Sequence, residues 1–325
     1  MKKTTLIISL QFFCFFGFSQ ELYLPVFSPY LADNHFIVSP TFAGIGDNLR
    51  IRANGLTQWV GIKDAPKNQS LYADFRVWNQ SGIGISLYND SNGNTSQLGA
   101  TISFAHHIIL DVATQQYLSF GLSYHLNTFK IDNSPFNRSL QTPILDPSIV
   151  DNKANHNSNV GVGLLYRNRG FYISFNASTI VPETKANFAQ TATSWGLNYQ
   201  LYLGYLIKNS TQKNVEWEPS IYHRIINGVR HSTTDMNIKY RRYIKDGNYY
   251  WLGVSHRLIN DQAVKPLTIG PMTGFKKATF YFGYSYQVNL NQIATYNSGT
   301  HLFTFGFDFL QGISDCPCTQ SPVHQ

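Results

Sequence analysis

Residues that can do covalent or metal chemistry occur in this sequence, but not in the arrangements that such chemistry needs. Serine and histidine are common, yet neither the Gly-x-Ser-x-Gly turn of a serine hydrolase nor a His-Glu-x-x-His zinc motif is found. The pair His106-His107 stands near the end of an alternating run, and we interpret it as an interfacial pair rather than a metal site. Asp90, Asn92 and Asn94 resemble half of a calcium loop that lacks its glycine and distal glutamate, so a loop tip is the simpler interpretation. We therefore predict no catalytic residue, no metal, no cofactor and no enzymatic activity.

Two cysteines stand close together near the end of the chain, in Cys316-Pro317-Cys318. An oxidising compartment permits a disulfide between them, although a bond across one residue is expected to be strained. Two thiols without a nearby histidine make a poor metal site. We interpret the pair as a tail motif and assign it no purpose.

The first residues are typical of a signal peptide. A positive start, Met1-Lys2-Lys3, precedes an apolar run from Thr4 to Phe18, and Ser19 ends a small-residue cleavage motif. At about 15 residues this run is too short to span a bilayer. We predict cleavage before Gln20 and export of the mature chain.

The composition of the chain favours a membrane β-barrel. Charged residues make up 13% and aromatic residues 15%, whereas a soluble domain carries about 25% charged residues. After Ser19 no run of 18 apolar residues occurs, so no transmembrane helix is expected. A closed barrel suits such a chain, because its wall faces lipid on one side and water on the other. The net charge of +7 favours anionic lipid headgroups or an acidic partner, and the scattered basic residues of an exported chain argue against nucleic acid.

Apolar and polar residues alternate with a period of two in many short runs, as expected for strands with one face in lipid. The last run, Phe303 to Phe309, is one of the clearest examples. The run at 264–270 is the weakest, because Pro266 removes a ladder donor. We predict an antiparallel, all-β transmembrane barrel of about 14 strands, near residues 48–57, 70–77, 82–89, 97–109, 117–127, 160–167, 171–178, 195–207, 215–224, 234–243, 249–258, 264–270, 278–287 and 301–310.

The connections between these runs predict the topology. Even-numbered connections are mostly short and odd-numbered ones are often long, as in outer-membrane barrels with periplasmic turns and longer outer loops. With an even strand count, both termini are then periplasmic. The resulting division of the chain is a signal peptide (1–19), an extended N-terminal segment that forms a possible plug (20–47), the barrel (48–310) and a C-terminal tail (311–325).

Two dense motifs flank the first predicted strand. Ser39-Pro40-Thr41-Phe42-Ala43-Gly44 precedes it, and Gln58-Trp59-Val60-Gly61 with Ala65-Pro66-Lys67 follows it. This pair of motifs resembles the opening of the PorP/SprF family, outer-membrane proteins of the type IX secretion system. The family's Asn-Pro-Ala-Tyr-Ala-Gly is altered here, whereas the Gln-Trp-x-Gly and Ala-Pro-Lys elements look intact.

The resemblance implies a non-enzymatic outer-membrane component of type IX secretion. Such a component helps to export or anchor a large secreted surface protein, similar to a gliding adhesin. The implied partners are that client, through its C-terminal secretion domain, other type IX components, and outer-membrane lipid. The alternative function is a passive pore or small-solute transporter, which the Tyr, Asn, Ser and Arg residues of the lumen side permit.

The motifs also give the candidate site residues. In the predicted topology the second motif lies in the first outer loop, so we predict a partner-binding set formed by Gln58, Trp59, Gly61, Lys63, Pro66 and Lys67. A structural role remains open, with Trp59 in the aromatic girdle and Gly61 and Pro66 as turn formers. For the first motif, Pro40, Phe42, Ala43 and Gly44, a packed plug and a moving gate both remain open.

Overall fold

The computed structural model describes residues 34–46, 48–132, 153–181, 197–208, 214–227, 231–261, 264–309 and 316–318. The predicted signal peptide, residues 20–33 of the predicted N-terminal segment and all of the predicted tail except 316–318 lie outside the described residues.

Strands make up most of the described chain. Four short helical turns accompany them: His35–Val38, Pro40–Phe42, Lys245–Gly247 and Gln292–Tyr296. No helix within the described ranges is long and apolar enough to cross a membrane. The strand segments are β1 (Leu49–Thr57), β2 (Lys67–Trp78), β3 (Ser81–Asn92), β4 (Thr95–Asp111), β5 (Gln116–Ile131), β6 (Lys153–Asn168), β7 (Phe171–Ser178), β8 (Asn198–Tyr205), β9 (Ile207–Lys208), β10 (Val215–Ile226), β11 (His231–Tyr243), β12 (Tyr249–Ile259), β13 (Lys265–Lys277), β14 (Phe280–Asn289) and β15 (Thr300–Phe309).

These segments form one closed antiparallel barrel. Each strand pairs with the next along the chain, and β15 pairs with β1 from Leu49↔Phe309 to Thr57↔His301. β8 and β9 both pair with β10, so they are two parts of one strand interrupted at Leu206. The wall therefore has 14 strands, and the predicted fold class is confirmed. Because β15 pairs with β1, the described wall closes on itself, which is how a barrel pairs its backbone groups in lipid.

The period-two pattern sorts the side chains between the two faces of the wall. On β15, Phe303, Phe305 and Phe307 are exposed on the outer surface, whereas Thr304 and Asp308 are buried in the barrel. On β5, Phe120, Leu122 and Tyr124 point outward while Ser119 and Ser123 point inward. Apolar side chains therefore cover the outer surface, which faces lipid, and polar side chains fill the lumen.

The connections differ in length between the two ends of the barrel. At one end, the short-connection end, strands are joined by residues 79–80, 112–115, 169–170, 209–214, 244–248 and 278–279. At the other end, the long-connection end, they are joined by residues 58–66, 93–94, 132–152, 179–197, 227–230, 260–264 and 290–299. The 93–94 connection is short because Gly93, with φ of 58°, makes a two-residue turn there.

Strand β13 is longer than its sequence predicts. It begins at Lys265 and continues through Pro266 and Pro271 to Lys277. Pro266 pairs with Leu258 just beyond a register shift in the β12–β13 ladder. The β13–β14 register has a gap at Gly270 and Pro271. The wall thus places both prolines at or beside irregularities, where a missing N–H costs little.

Candidate functional site

Residues 34–46, which we call the lumen segment, lie inside the barrel. The Asn34 side chain accepts a hydrogen bond from the Phe36 N–H at 3.2 Å and begins the first helical turn. Ser39 Oγ accepts one from the Thr41 N–H at 3.3 Å, and Pro40 stands at the first position of the second turn. Both turns begin with the residue types that satisfy free N–H groups. The predicted motif residues Pro40, Phe42, Ala43 and Gly44 therefore fold compactly in the lumen.

Glycines of the barrel wall allow the lumen segment to approach the wall closely. A Cβ placed on Gly82 would lie 2.3 Å from the Ala43 carbonyl oxygen and 2.7 Å from the Cα of Gly44. A Cβ on Gly121 would lie 2.7 Å from the Thr41 nitrogen. Backbone thus packs on backbone, and any side chain at these wall positions would push the segment away.

Polar contacts hold the segment to β2 and β4. The Gly44 N–H donates to Asp74 Oδ2 at 3.0 Å, and the same oxygen accepts from Arg50 at 2.7 Å. His107 Nε2 is hydrogen-bonded with the Ala43 carbonyl at 3.0 Å, while its Nδ1 contacts Ser119. His107 is fully buried in the lumen, and His106 contacts Ser81 instead. The interpretation of His106-His107 as an interfacial pair is therefore wrong, because β4 continues to Asp111 and adjacent residues face opposite sides.

The opposite side of the segment contacts the far wall. His35 Nε2 lies 3.3 Å from Glu218 Oε1, which also accepts from the Tyr172 hydroxyl at 2.8 Å. The His35 ring packs against both Phe42 and Tyr202, with centroid distances of 5.3 and 5.5 Å. The segment therefore bridges the lumen from β2–β6 to β7–β10.

Charged pairs line the rest of the lumen. The Oε2 atom of Glu218, whose Oε1 contacts the lumen segment, lies 4.0 Å from Lys239 Nζ and 3.6 Å from Arg241 Nη2. Four further lumen carboxylates also have cationic partners, which is how buried charges are tolerated. These pairs are Arg50–Asp74, Arg52–Asp308, Lys276–Asp308, Arg241–Glu216 and Arg257–Asp235.

The predicted partner-binding residues lie at the long-connection end, around the loop of residues 58–66. Lys63, Lys67 and Gly61 are exposed, Gln58 and Trp59 are half-buried, and Pro66 is buried. Trp59 has a φ of 47°, and Gly61 has a φ of 105°. The loop thus turns sharply at the signature residues, brings its lysines to the surface and keeps Ala65-Pro66 inside.

Neighbouring connections hold this loop in place. The Val60 N–H donates to the Gly299 carbonyl at 3.0 Å, and the Ser298 N–H donates back to Val60 at 2.7 Å. The Asp64 carbonyl accepts from the Gly93 N–H at 3.1 Å. The loop is therefore tied to two other connections by backbone hydrogen bonds, which favours one fixed conformation.

The tail cysteines pair at the short-connection end. Cys316 and Cys318 form a disulfide, and both are buried against Tyr117. Sequence reasoning assigned this motif no purpose and missed its neighbours. Period two already places Arg76 and Arg167 on the inner face, but strand pairing is needed to bring them together.

Among the described residues, no group of three or more His, Cys, Asp or Glu side chains is placed to hold a metal ion. Asp90 and Asn92 belong to β3 rather than to a loop, and Asn94 lies in the two-residue turn. The loop-tip interpretation is therefore wrong for the first two residues, because the tight turn at Gly93 extends both strands.

Comparison with known proteins gives one match over almost the whole sequence. Residues 19–307 match the family described as type IX secretion system membrane protein PorP/SprF. The chain belongs to the PorP/SprF family. As a member, it is an integral outer-membrane component of the type IX secretion system and is implied to interact with other components of that system.

Solved structures similar to this PorP/SprF chain are outer-membrane barrels. The CymD monoaromatic hydrocarbon channel is 10% identical, with a TM-score of 0.50 over 88% of this chain and 94% of that one. BamA from Haemophilus ducreyi lacking POTRA domains 1–3 is 8% identical, with a TM-score of 0.41 over 81% and 70% of the two chains. Among curated proteins, none matches this sequence. At such identities the similarity to CymD supports the barrel fold alone.

Proposed function

We propose that this PorP/SprF protein helps to export a large secreted client or to anchor it at the cell surface. The client engages the long-connection end of the barrel, with Trp59, Lys63 and Lys67 as the central contacts. Both termini and the short-connection end are periplasmic, since outer-membrane barrels place their longer loops outside.

The observation that carries this proposal is the combination of an occupied lumen and an ordered outer loop. The lumen segment spans the barrel from Asp74 to Glu218, so a client is expected to work at the surface rather than pass through the lumen. The loop of residues 58–66 is tied by backbone hydrogen bonds, so little conformational freedom is lost when it binds.

The chemistry of this loop fits an acidic client domain. Lys63 and Lys67 are exposed and stand close to a half-buried tryptophan. Tryptophan is a frequent anchor in interfaces, and rim charges steer an oppositely charged partner. A C-terminal secretion domain with an acidic surface would match this arrangement.

The alternative function, a passive pore or small-solute transporter, predicts a lumen with a continuous water path. The polar lining of the lumen is compatible with solute passage. The buried contacts of the lumen segment weigh against it, because four large apolar side chains would have to leave the lumen for such a path.

Client location tests the proposal. Surface proteins that appear in the medium when the barrel gene is deleted are first identified by mass spectrometry. The triple variant Trp59→Ala, Lys63→Glu, Lys67→Glu is then expected to release the same protein or leave it unexported. Loss of a central anchor weakens binding by about 2 kcal/mol or more, about thirty-fold.

The matched control is Lys245→Glu, which reverses an exposed charge in a connection at the opposite end of the barrel. It should leave the client attached. Barrel level in the outer membrane and heat-modifiable migration on a gel are measured for both variants. Normal client attachment in a fully assembled triple variant would exclude this loop as the docking site, and loss of the barrel itself would favour the structural role of Trp59.

A further inference from the structure

The disulfide loop at the short-connection end sits in a cationic environment. Arg76 donates from its Nη1 atom to Cys318 Sγ at 3.3 Å, and Arg167 donates to the Cys318 carbonyl at 2.9 Å. Cys318 therefore contacts two buried guanidinium groups, and other lumen arginines, such as Arg50 and Arg257, contact carboxylates.

Arg167 differs from those other arginines in its partners. Its Nε and Nη1 atoms are buried and have no hydrogen-bond partner among the described residues. Its guanidinium stacks over Tyr117 at 5.1 Å, and no ion pair with a described carboxylate is formed. A buried cation in this position is stabilised by an anion nearby.

The disulfide itself contributes little to the stability of the fold. Its two cysteines are separated by 2 positions, and a cross-link that closes so small a loop removes little entropy from the unfolded chain. Its buried arginine neighbours are then better explained by the reduced state. A thiolate next to a guanidinium is stabilised, and a stabilised thiolate makes the disulfide easier to reduce.

We propose that Cys316–Cys318 is a thiol–disulfide exchange site that accepts two electrons from a dithiol. A thiolate of the dithiol attacks Sγ of Cys316, the S–S bond breaks, and Cys318 leaves as a thiolate held by Arg76. The second thiol of the donor loses its proton and attacks the mixed disulfide. Cys316 leaves and takes up a proton, while the donor becomes a disulfide.

The direction of attack follows from the two environments. Cys318 is fully buried and carries the arginine contact, whereas Cys316 retains 6% exposure. The better leaving group is the sulfur whose thiolate is more stable. Cys316 is therefore the sulfur that forms the mixed disulfide.

A redox titration of the folded, purified barrel tests whether Arg76 stabilises the Cys318 thiolate. The protein is equilibrated in mixtures of reduced and oxidised glutathione, quenched with acid, alkylated and analysed by mass spectrometry. Arg76→Gln is expected to lower the equilibrium constant for reduction about tenfold, because the thiolate loses its guanidinium. Arg224→Gln, which changes a half-buried lumen arginine that contacts Asn198, should stay within about twofold of the wild type.

A trapping experiment tests the direction. The wild-type disulfide is exposed briefly to reduced glutathione and the reaction is quenched with acid. Mass spectrometry is then expected to find glutathione on Cys316 and not on Cys318. Heat-modifiable migration confirms that each variant is folded. An unchanged equilibrium constant in folded Arg76→Gln, glutathione trapped on Cys318, or a wild-type disulfide that is reduced only after the barrel unfolds would each overturn the proposal.

Discussion

The first prediction tests whether the lumen segment blocks the lumen to small solutes. Phe36, Val38, Phe42 and Ile45 are all buried inside the barrel, each with at most 5% of its surface exposed. We predict that replacing all four with serine releases the segment and opens the lumen to small solutes. The change leaves every wall residue intact, so the strands and their lipid face are not altered.

The magnitude follows from the apolar surface that the four residues bury. Each fully buried side chain of this type contributes about 1.5–3 kcal/mol, so the set contributes about 6–12 kcal/mol to holding the segment. A single overpacked site costs only about 1–3 kcal/mol. Gly121→Ala, whose new Cβ would meet the Thr41 nitrogen at 2.7 Å, is therefore expected to loosen the segment without opening the lumen.

Liposome swelling in a small sugar measures the opening. Wild-type protein and Gly121→Ala should give the rate of protein-free liposomes, and the quadruple variant should swell rapidly at equal, folded protein density. Rapid swelling by the wild type would refute the reasoning and favour the pore function. A folded quadruple variant that remains impermeable would show that the four residues do not close the lumen.

Two further predictions concern the wall and its orientation. Phe305→Arg should destabilise the barrel by about 2–4 kcal/mol if the residue lies near the midplane, because the side chain faces lipid. Asp308→Ala should destabilise it by about 3–5 kcal/mol, because two lumen cations lose their carboxylate. Denaturant titration in detergent or lipid measures both effects, and an unchanged stability of Phe305→Arg would contradict the outward assignment of Phe305. In a background without the tail cysteines, Lys63→Cys should react with an impermeant reagent on whole cells and Lys245→Cys should not, whereas the reverse labelling would invert the proposed orientation.

The wall of the barrel was predictable because its signal is local. Period-two alternation on β5 and β15 already separates lipid-facing from lumen-facing residues, and lipid enforces that separation along every strand. The predicted run at 264–270 stopped short of Lys277, where β13 ends, and was the weakest of the runs because Pro266 removes a ladder donor. Strand pairing absorbs Pro266 at a register shift, which no single-strand pattern reveals.

The interior was less predictable because its contacts join distant parts of the chain. The pairing of His35 with Glu218 spans a sequence separation of 183 residues. The local sequence around His35 does not predict that it pairs with Glu218, and the sequence around Glu218 does not predict it either. The glycines at positions 82 and 121 read as ordinary strand residues until the lumen segment is placed against them.

The position of the lumen segment has a consequence for the order of barrel assembly. The segment directly precedes β1. Most of its contacts are with β2–β6, the part of the wall that follows next in the chain. Contacts made early in sequence close short loops at low entropic cost, whereas the pairing of β15 with β1 joins the two ends of the barrel. The segment can therefore act as a template on which the first strands curve, so that the wall closes around a core that is already in place.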